Sequence, residues 1–229
     1  MLKTALVICR KDLRLILTRG AGLVQALLLG LLLIFLFSLS LDIGDFLAPQ
    51  AAATMFWMAS SFAMVLVFNM LFALEETTSA RWGLLLLPAP AQSIWLGKAL
   101  GGAVLILLAQ VIFLPACIVF LGQSFGPAIW LGLGGILLTD VGLASCGSLL
   151  GALSTGMGTG QAGRESLLSI ILFPVLVPLL LAAIRLLGAA FGPDFPADAW
   201  SWLNLGFAFN AVFVAVPLVL FPFMYTGDD

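Results

Sequence analysis

The stretch GTGQAGRE, Gly158 to Glu165, spells two phosphate-binding patterns at once. Gly158, Gly160 and Gly163 stand at G-x-G-x-x-G spacing, and the chemistry would be a pyrophosphate cradled by backbone N–H groups where a strand turns into a helix. Here the motif follows a long apolar run, not a strand, so that context is missing. Arg164 and Glu165 occupy the positions where a phosphate-binding loop needs Lys and Ser/Thr, which excludes ATP at this loop. The glycines read instead as a flexible connection. Catalytic groups are otherwise scarce. The chain has no histidine, which removes an imidazole base, a His-ligated zinc and a proximal-His haem site. Cys9, Cys117 and Cys146 lie far apart, fit no metal or disulfide spacing, and read as packing residues.

Asp140 is alone among the intramembrane acids, so no paired-carboxylate site forms. A charged carboxylate in mid-bilayer costs on the order of 2.5 to 3.5 kcal/mol, and this residue must face protein or water. Its run is rich in small residues, with Gly147 and Gly151 at G-x-x-x-G spacing. One reading is a tightly packed helix whose acid is protonated or hydrogen-bonded; the other is a transport pathway. Pro174 and Pro178, four residues apart in a later run, remove two backbone donors from one face and predict a kink.

The other polar concentration is LEETTSARWGLLLLPAPAQSIWLGK, residues 74 to 98, which holds Glu75, Glu76, Arg81 and Lys98. Thr77, Thr78 and Ser79 suit a helix N-cap, Glu75 and Glu76 place negative charge at its start, and Pro88 with Pro90 stops it after Leu87. The spacing predicts a short helix outside the bilayer, on the cytoplasmic side. A connector with no partner is the plainer alternative.

The elements that carry these residues follow from composition. The chain is 62% hydrophobic and 9% charged, with a mean hydropathy of +1.21, whereas soluble domains carry roughly a quarter charged residues. Its runs 20 to 41, 50 to 73, 100 to 121, 128 to 153, 167 to 187 and 203 to 225 each suffice for a bilayer core, which needs about 20 helical residues. Strands would leave backbone groups unpaired in lipid, and barrel-type alternation is absent. The first run is too long for a cleaved signal peptide. Every Lys and Arg except Arg185 falls on one side of this arrangement, which predicts both termini in the cytoplasm. Residues 1 to 19 read as an amphipathic helix along the inner surface, with Leu2, Leu6, Cys9, Leu13 and Ile16 on one face and Lys3, Arg10, Lys11 and Arg14 on another. The segment 192 to 206 reads as interfacial anchoring by Trp200 and Trp202, or as a short external helix. The class is therefore an all-α integral membrane protein with six transmembrane helices and one transmembrane domain.

The whole chain resembles the heme exporter protein B (CcmB) family, the membrane subunit of the cytochrome c maturation transporter, within the export-type ABC permeases. LFALEETTSARWGLLLLPAPAQSIWLGKAL and GRESLLSIILFPVLVPLLLAA carry the match, together with length, six spans and a basic amphipathic start. Ser79, Ala80, Arg81 and Trp82 stand where the family usually has Gly-Ser/Thr-Leu-Glu. The resemblance implies a multi-pass protein of the bacterial inner membrane that is not an enzyme by itself and binds no cofactor directly. ATP and magnesium would sit on a separate ABC ATPase subunit, and heme on partner proteins. Further partners would be a second copy of the chain, a heme-handling membrane subunit, a small single-span subunit, a periplasmic heme chaperone and the lipid bilayer, but no nucleic acid. Residues 74 to 98 would be the coupling segment that docks the ATPase, through Glu75, Glu76, Arg81, Trp82, Pro88, Pro90 and Lys98, with Arg164 and Glu165 in a second cytoplasmic loop. ATP hydrolysis would drive heme delivery or release of the loaded chaperone. The alternatives are an ABC permease for another hydrophobic substrate, and an ATP-independent channel or secondary transporter using Asp140.

Overall fold

Apolar runs in lipid satisfy their backbone only by closing hydrogen bonds within each segment, and this chain does so in helices. The computed structural model describes residues 1–19, 21–40, 47–77, 83, 86, 88–156 and 161–224, with backbone alone at 19, 21, 76, 77, 153–156, 161–173 and 224. Among the described residues the long helices are α1 (Leu2–Arg19), α2 (Ala21–Leu39), α3 (Pro49–Thr77), α4 (Ala91–Phe120), α5 (Ile129–Gly156), α6 (Gln161–Phe191) and α7 (Ala199–Met224). No strand occurs among the described residues. Six helices, α2 to α7, are long and apolar enough to cross a membrane.

The helix α3 is the post of the bundle. It packs against α2, α4, α5 and α6, and 61% of its spanning stretch is buried, against 17% for α2 and 28% for α7. Those two peripheral helices turn residues such as Leu28, Leu32, Phe207 and Val219 outward. Buried Ser60 and Ser61 donate to the carbonyls of Phe56 and Trp57 one turn back, which lets polar residues sit in the most enclosed helix. Two glycines at G-x-x-x-G spacing on α5 receive rings from α3: Phe68 lies against Gly147 and Phe72 against Gly151, where a Cβ would overlap each ring. Phe68 also presses on Gly102 of α4, so one ring is wedged between two helices. The other end of α4 stops at Gly122 with φ 64°, where the Gln123 N–H reaches the Ile118 carbonyl at 3.2 Å and closes the helix.

Three expectations need correction. First, α3 runs on to Thr77, so Glu75 and Glu76 lie in its last turn; the short helix expected before Pro88 falls outside the described residues except at Gly83, which is helical. Likewise α4 starts at Ala91, with Pro90 in its N-cap position, and carries Lys98 inside its second turn. Second, the buried stripe of α1 is Ala5, Ile8, Cys9, Asp12 and Ile16, while Leu2 and Leu6 are exposed. This stripe packs on α4. Close approach selects it: a Cβ at Gly97 would lie 2.8 Å from Ile8 Cβ and 2.9 Å from the Ala5 carbonyl oxygen. Third, Trp200 and Trp202 belong to the first turn of α7, not to a separate external helix. The helix α6 is continuous through Pro174 and Pro178.

A buried charge cluster as candidate functional site

Lys98 is fully buried, and a buried ammonium is tolerable only when anions and carbonyls surround it. Its Nζ lies 2.6 Å from Glu75 Oε1 and 3.0 Å from Asp12 Oδ2. It also donates to the Leu71 carbonyl at 3.1 Å, an oxygen with a spare lone pair even within a helix. The Phe72 ring closes the remaining side, with Nζ 5.2 Å from its centroid. The Asp12 contact is a through-space ion pair whose orientation does not make a hydrogen bond at Oδ2. Lys11, half-exposed at the rim, completes the group at 2.9 Å from Asp12 Oδ1 and 3.3 Å from Glu75 Oε1.

Two lysines and two carboxylates make the cluster neutral as a unit. Each charge depends on the others, because removing one partner of a buried pair leaves an uncompensated ion at a cost of about 3 to 5 kcal/mol. Burial by itself would lower the Lys11 pKa. The charges and hydrogen bonds of Asp12 and Glu75 outweigh it and hold Lys11 above its ordinary value. Stability from a raised lysine is present below its unfolded pKa and is lost only as pH rises through the folded one, so this contribution is intact across neutral pH.

Three elements meet here. Asp12 and Lys11 come from α1, Glu75 from the last turn of α3, and Lys98 from the beginning of α4. The cluster thus ties together both helices that flank residues 78 to 90, and fastens α1 to them. Phe72 extends the tie to α5, since its ring touches Gly151 as well as facing Lys98. Nothing in this arrangement is free for catalysis, as both carboxylates and both ammonium groups are engaged with one another.

The expected coupling residues therefore divide. Glu75 and Lys98 are turned inward and bound to each other, so neither is displayed to a partner. Pro88 and Pro90 are exposed at the entry to α4. Glu76 lies in the last turn of α3, and Arg164 and Glu165 in the first turns of α6, but their side chains fall outside the described residues. Arg81 and Trp82 also lie outside them. Asp12 went unnoticed in the sequence. The signal was an acid at i+4 from Ile8 and i−4 from Ile16, on an apolar stripe that needs a cation opposite.

Six helices long and apolar enough to cross a membrane, with a buried charge cluster at one end, make this a multi-pass membrane protein. The chain belongs to the CcmB protein family, whose model matches residues 3–226. It is thereby a heme exporter membrane component of a cytochrome c maturation ABC system, a permease subunit that works with an ATPase. No curated protein matches the chain closely enough to count as a relative.

Proposed function

We infer that this chain is the passive half of an ATP-driven machine, and that its charge cluster passes motion from a docked ATPase into the bundle. In this reading the segment between α3 and α4 docks the separate ATPase subunit through Glu76, Arg81 and Trp82, with Pro88 and Pro90 shaping its exit and Arg164 and Glu165 forming a second contact. Glu75 and Lys98 act behind that surface, as positioning residues. The observation that carries the reading is the placement of Lys98, whose ion pairs join α1, α3 and α4 on both sides of the docking segment. A push on that segment would move three helices together, and Phe72 would hand the displacement to α5.

ATP and magnesium are then bound by the partner and heme by other subunits, with no cofactor held directly by this chain. The absence of histidine agrees with that division, since a common axial ligand is missing here. Two copies would pair with two ATPase subunits, beside a heme-handling membrane subunit and a small single-span subunit in the bacterial inner membrane. Hydrolysis would drive release of the heme-loaded periplasmic chaperone. Both termini and the cluster lie on the cytoplasmic side in this scheme, as the lysine and arginine distribution favours.

The test is a charge-free cluster, Asp12→Asn, Glu75→Gln and Lys98→Met together. It leaves no buried ion unpaired and is expected to insert and accumulate, because a buried ion pair is often replaceable by neutral groups at little loss. It should retain the ATPase on affinity purification yet fail to support c-type cytochrome assembly. Lys98→Met alone should accumulate poorly. Normal assembly by the triple variant would show that the cluster transmits nothing.

A further inference from the structure

Arg185 sits at the end of the bundle opposite the charge cluster, near the C-terminus of α6, and it is the one cation that departs from the distribution of the rest. It is exposed, and among the described residues it has no ion pair. Its guanidinium lies over the Trp202 ring, 5.4 Å from the centroid. The same indole donates from Nε1 to Asp198 Oδ2 at 2.6 Å. A cation and an anion thus flank one ring without bonding each other.

Both charges line a cavity of about 320 Å3 between the start of α3, the end of α6 and the start of α7, with Pro49, Leu186 and Pro196 among its walls. That volume is at the low end for small-molecule sites. A simple anion attracted by Arg185 would meet Asp198, and a simple cation would meet Arg185. A group carrying both charges a few bonds apart satisfies the two at once. The surroundings belong to a bilayer edge: Trp200 is 74% exposed and Phe195 is 60% exposed at the same helix end, where aromatic residues collect at headgroup depth.

We propose that this cavity binds a phosphoethanolamine zwitterion, as the headgroup of a membrane phospholipid or as the free compound, with its phosphate on Arg185 and its ammonium on Asp198. The guanidinium offers a paired set of donors to phosphate. The free Asp198 oxygen accepts from a primary ammonium, which a glycerol headgroup lacks.

Native mass spectrometry of the full chain, released from micelles holding phosphatidylethanolamine and phosphatidylglycerol with identical acyl chains at equal concentration, reads the preference. The wild type is expected to retain phosphatidylethanolamine about tenfold over phosphatidylglycerol, the scale of one charge-assisted hydrogen bond. Arg185→Ala should lower retention of both lipids, and Asp198→Asn, which keeps the acceptor for Trp202, should abolish the preference. Arg185→Lys keeps the charge and should retain most of the binding, so a collapse of the Ala variant on folding grounds still leaves the Asp198 arm decisive. Equal retention of the two lipids by the wild type, retention of neither, or a wild-type preference in Asp198→Asn overturns the proposal. Free O-phosphoethanolamine then separates the sources: displacement of bound lipid assigns the site to the zwitterion alone, and persistence of the lipid assigns it to the intact phospholipid.

Discussion

Asp140 is buried on α5, and Gln110 of α4 donates to its Oδ1 at 2.8 Å. Asp140 Oδ2 and Gln110 Oε1, the other halves of the two groups, have no hydrogen-bond partner. A side chain at 140 with one acceptor and one donor would satisfy both sides of this pair. Asp140→Asn offers that set, so the variant should accumulate normally and support c-type cytochrome assembly at close to the wild-type level. Asp140→Leu takes the acceptor away from Gln110 Nε2, beside an Oε1 that already has no partner, and should lower the amount of folded protein through a loss of about 1 to 3 kcal/mol. Quantifying membrane-inserted protein and assembled cytochrome for the two variants checks this. An inserted but inactive Asn variant would instead assign Asp140 to an ion-coupled pathway. Sequence alone showed that Asp140 needed a partner but not which one, because Gln110 lies thirty residues away on a different helix and helix-to-helix register is not written in local spacing.

The contact of α1 with α4 turns on one glycine more than on the other. A Cβ at Gly97 would meet the Ala5 carbonyl oxygen at 2.9 Å, a backbone atom that cannot swing aside, whereas at Gly101 the nearest atom is 3.9 Å away. Gly97→Ala should therefore push α1 off α4, expose Asp12 and make buried Cys9 accessible to a thiol reagent. Gly101→Ala should leave Cys9 protected, and faster labelling of it in Gly101→Ala than in Gly97→Ala would refute the packing. The six long apolar runs were all legible, since bilayer length and the lack of charge leave few alternatives. Less legible were helix ends and helix faces. Hydropathy favoured Leu2 and Leu6 for the inner face of α1, but the interface selected Ala5 and Asp12 because a small residue allows approach and an acid finds Lys98, while Leu13 does pack against the core. The charges of residues 74 to 98 looked like solvent-facing groups for the same reason. Glu75 and Lys98 are far apart in sequence and read as exposed until α3 and α4 are extended past their apolar cores, which brings the two side chains to 2.6 Å.

For the molecule as a whole, family membership over residues 3–226 makes it a cytochrome c maturation permease subunit, and orientation decides whether the charge cluster can face an ATPase. With the cluster on the cytoplasmic side, a membrane-impermeant thiol reagent applied to intact cells should modify a cysteine placed at Asp45 and miss one placed at Ser79, in a background with Cys9, Cys117 and Cys146 replaced by serine. The reverse labelling would invert the topology and separate the cluster from any cytoplasmic motor. The central claim is narrower: a separate ATPase is held through the segment between α3 and α4. An interface anchor of the Trp82 kind is worth about 2 kcal/mol or more, which is more than tenfold in affinity. Affinity purification of an Arg81→Glu, Trp82→Ala double variant from native membranes, with ATPase retention measured against the wild type, tests that claim most directly. The variant should insert and accumulate normally, lose the ATPase by at least about tenfold and fail to support c-type cytochrome assembly; retention of the ATPase at wild-type affinity with normal assembly would contradict the account.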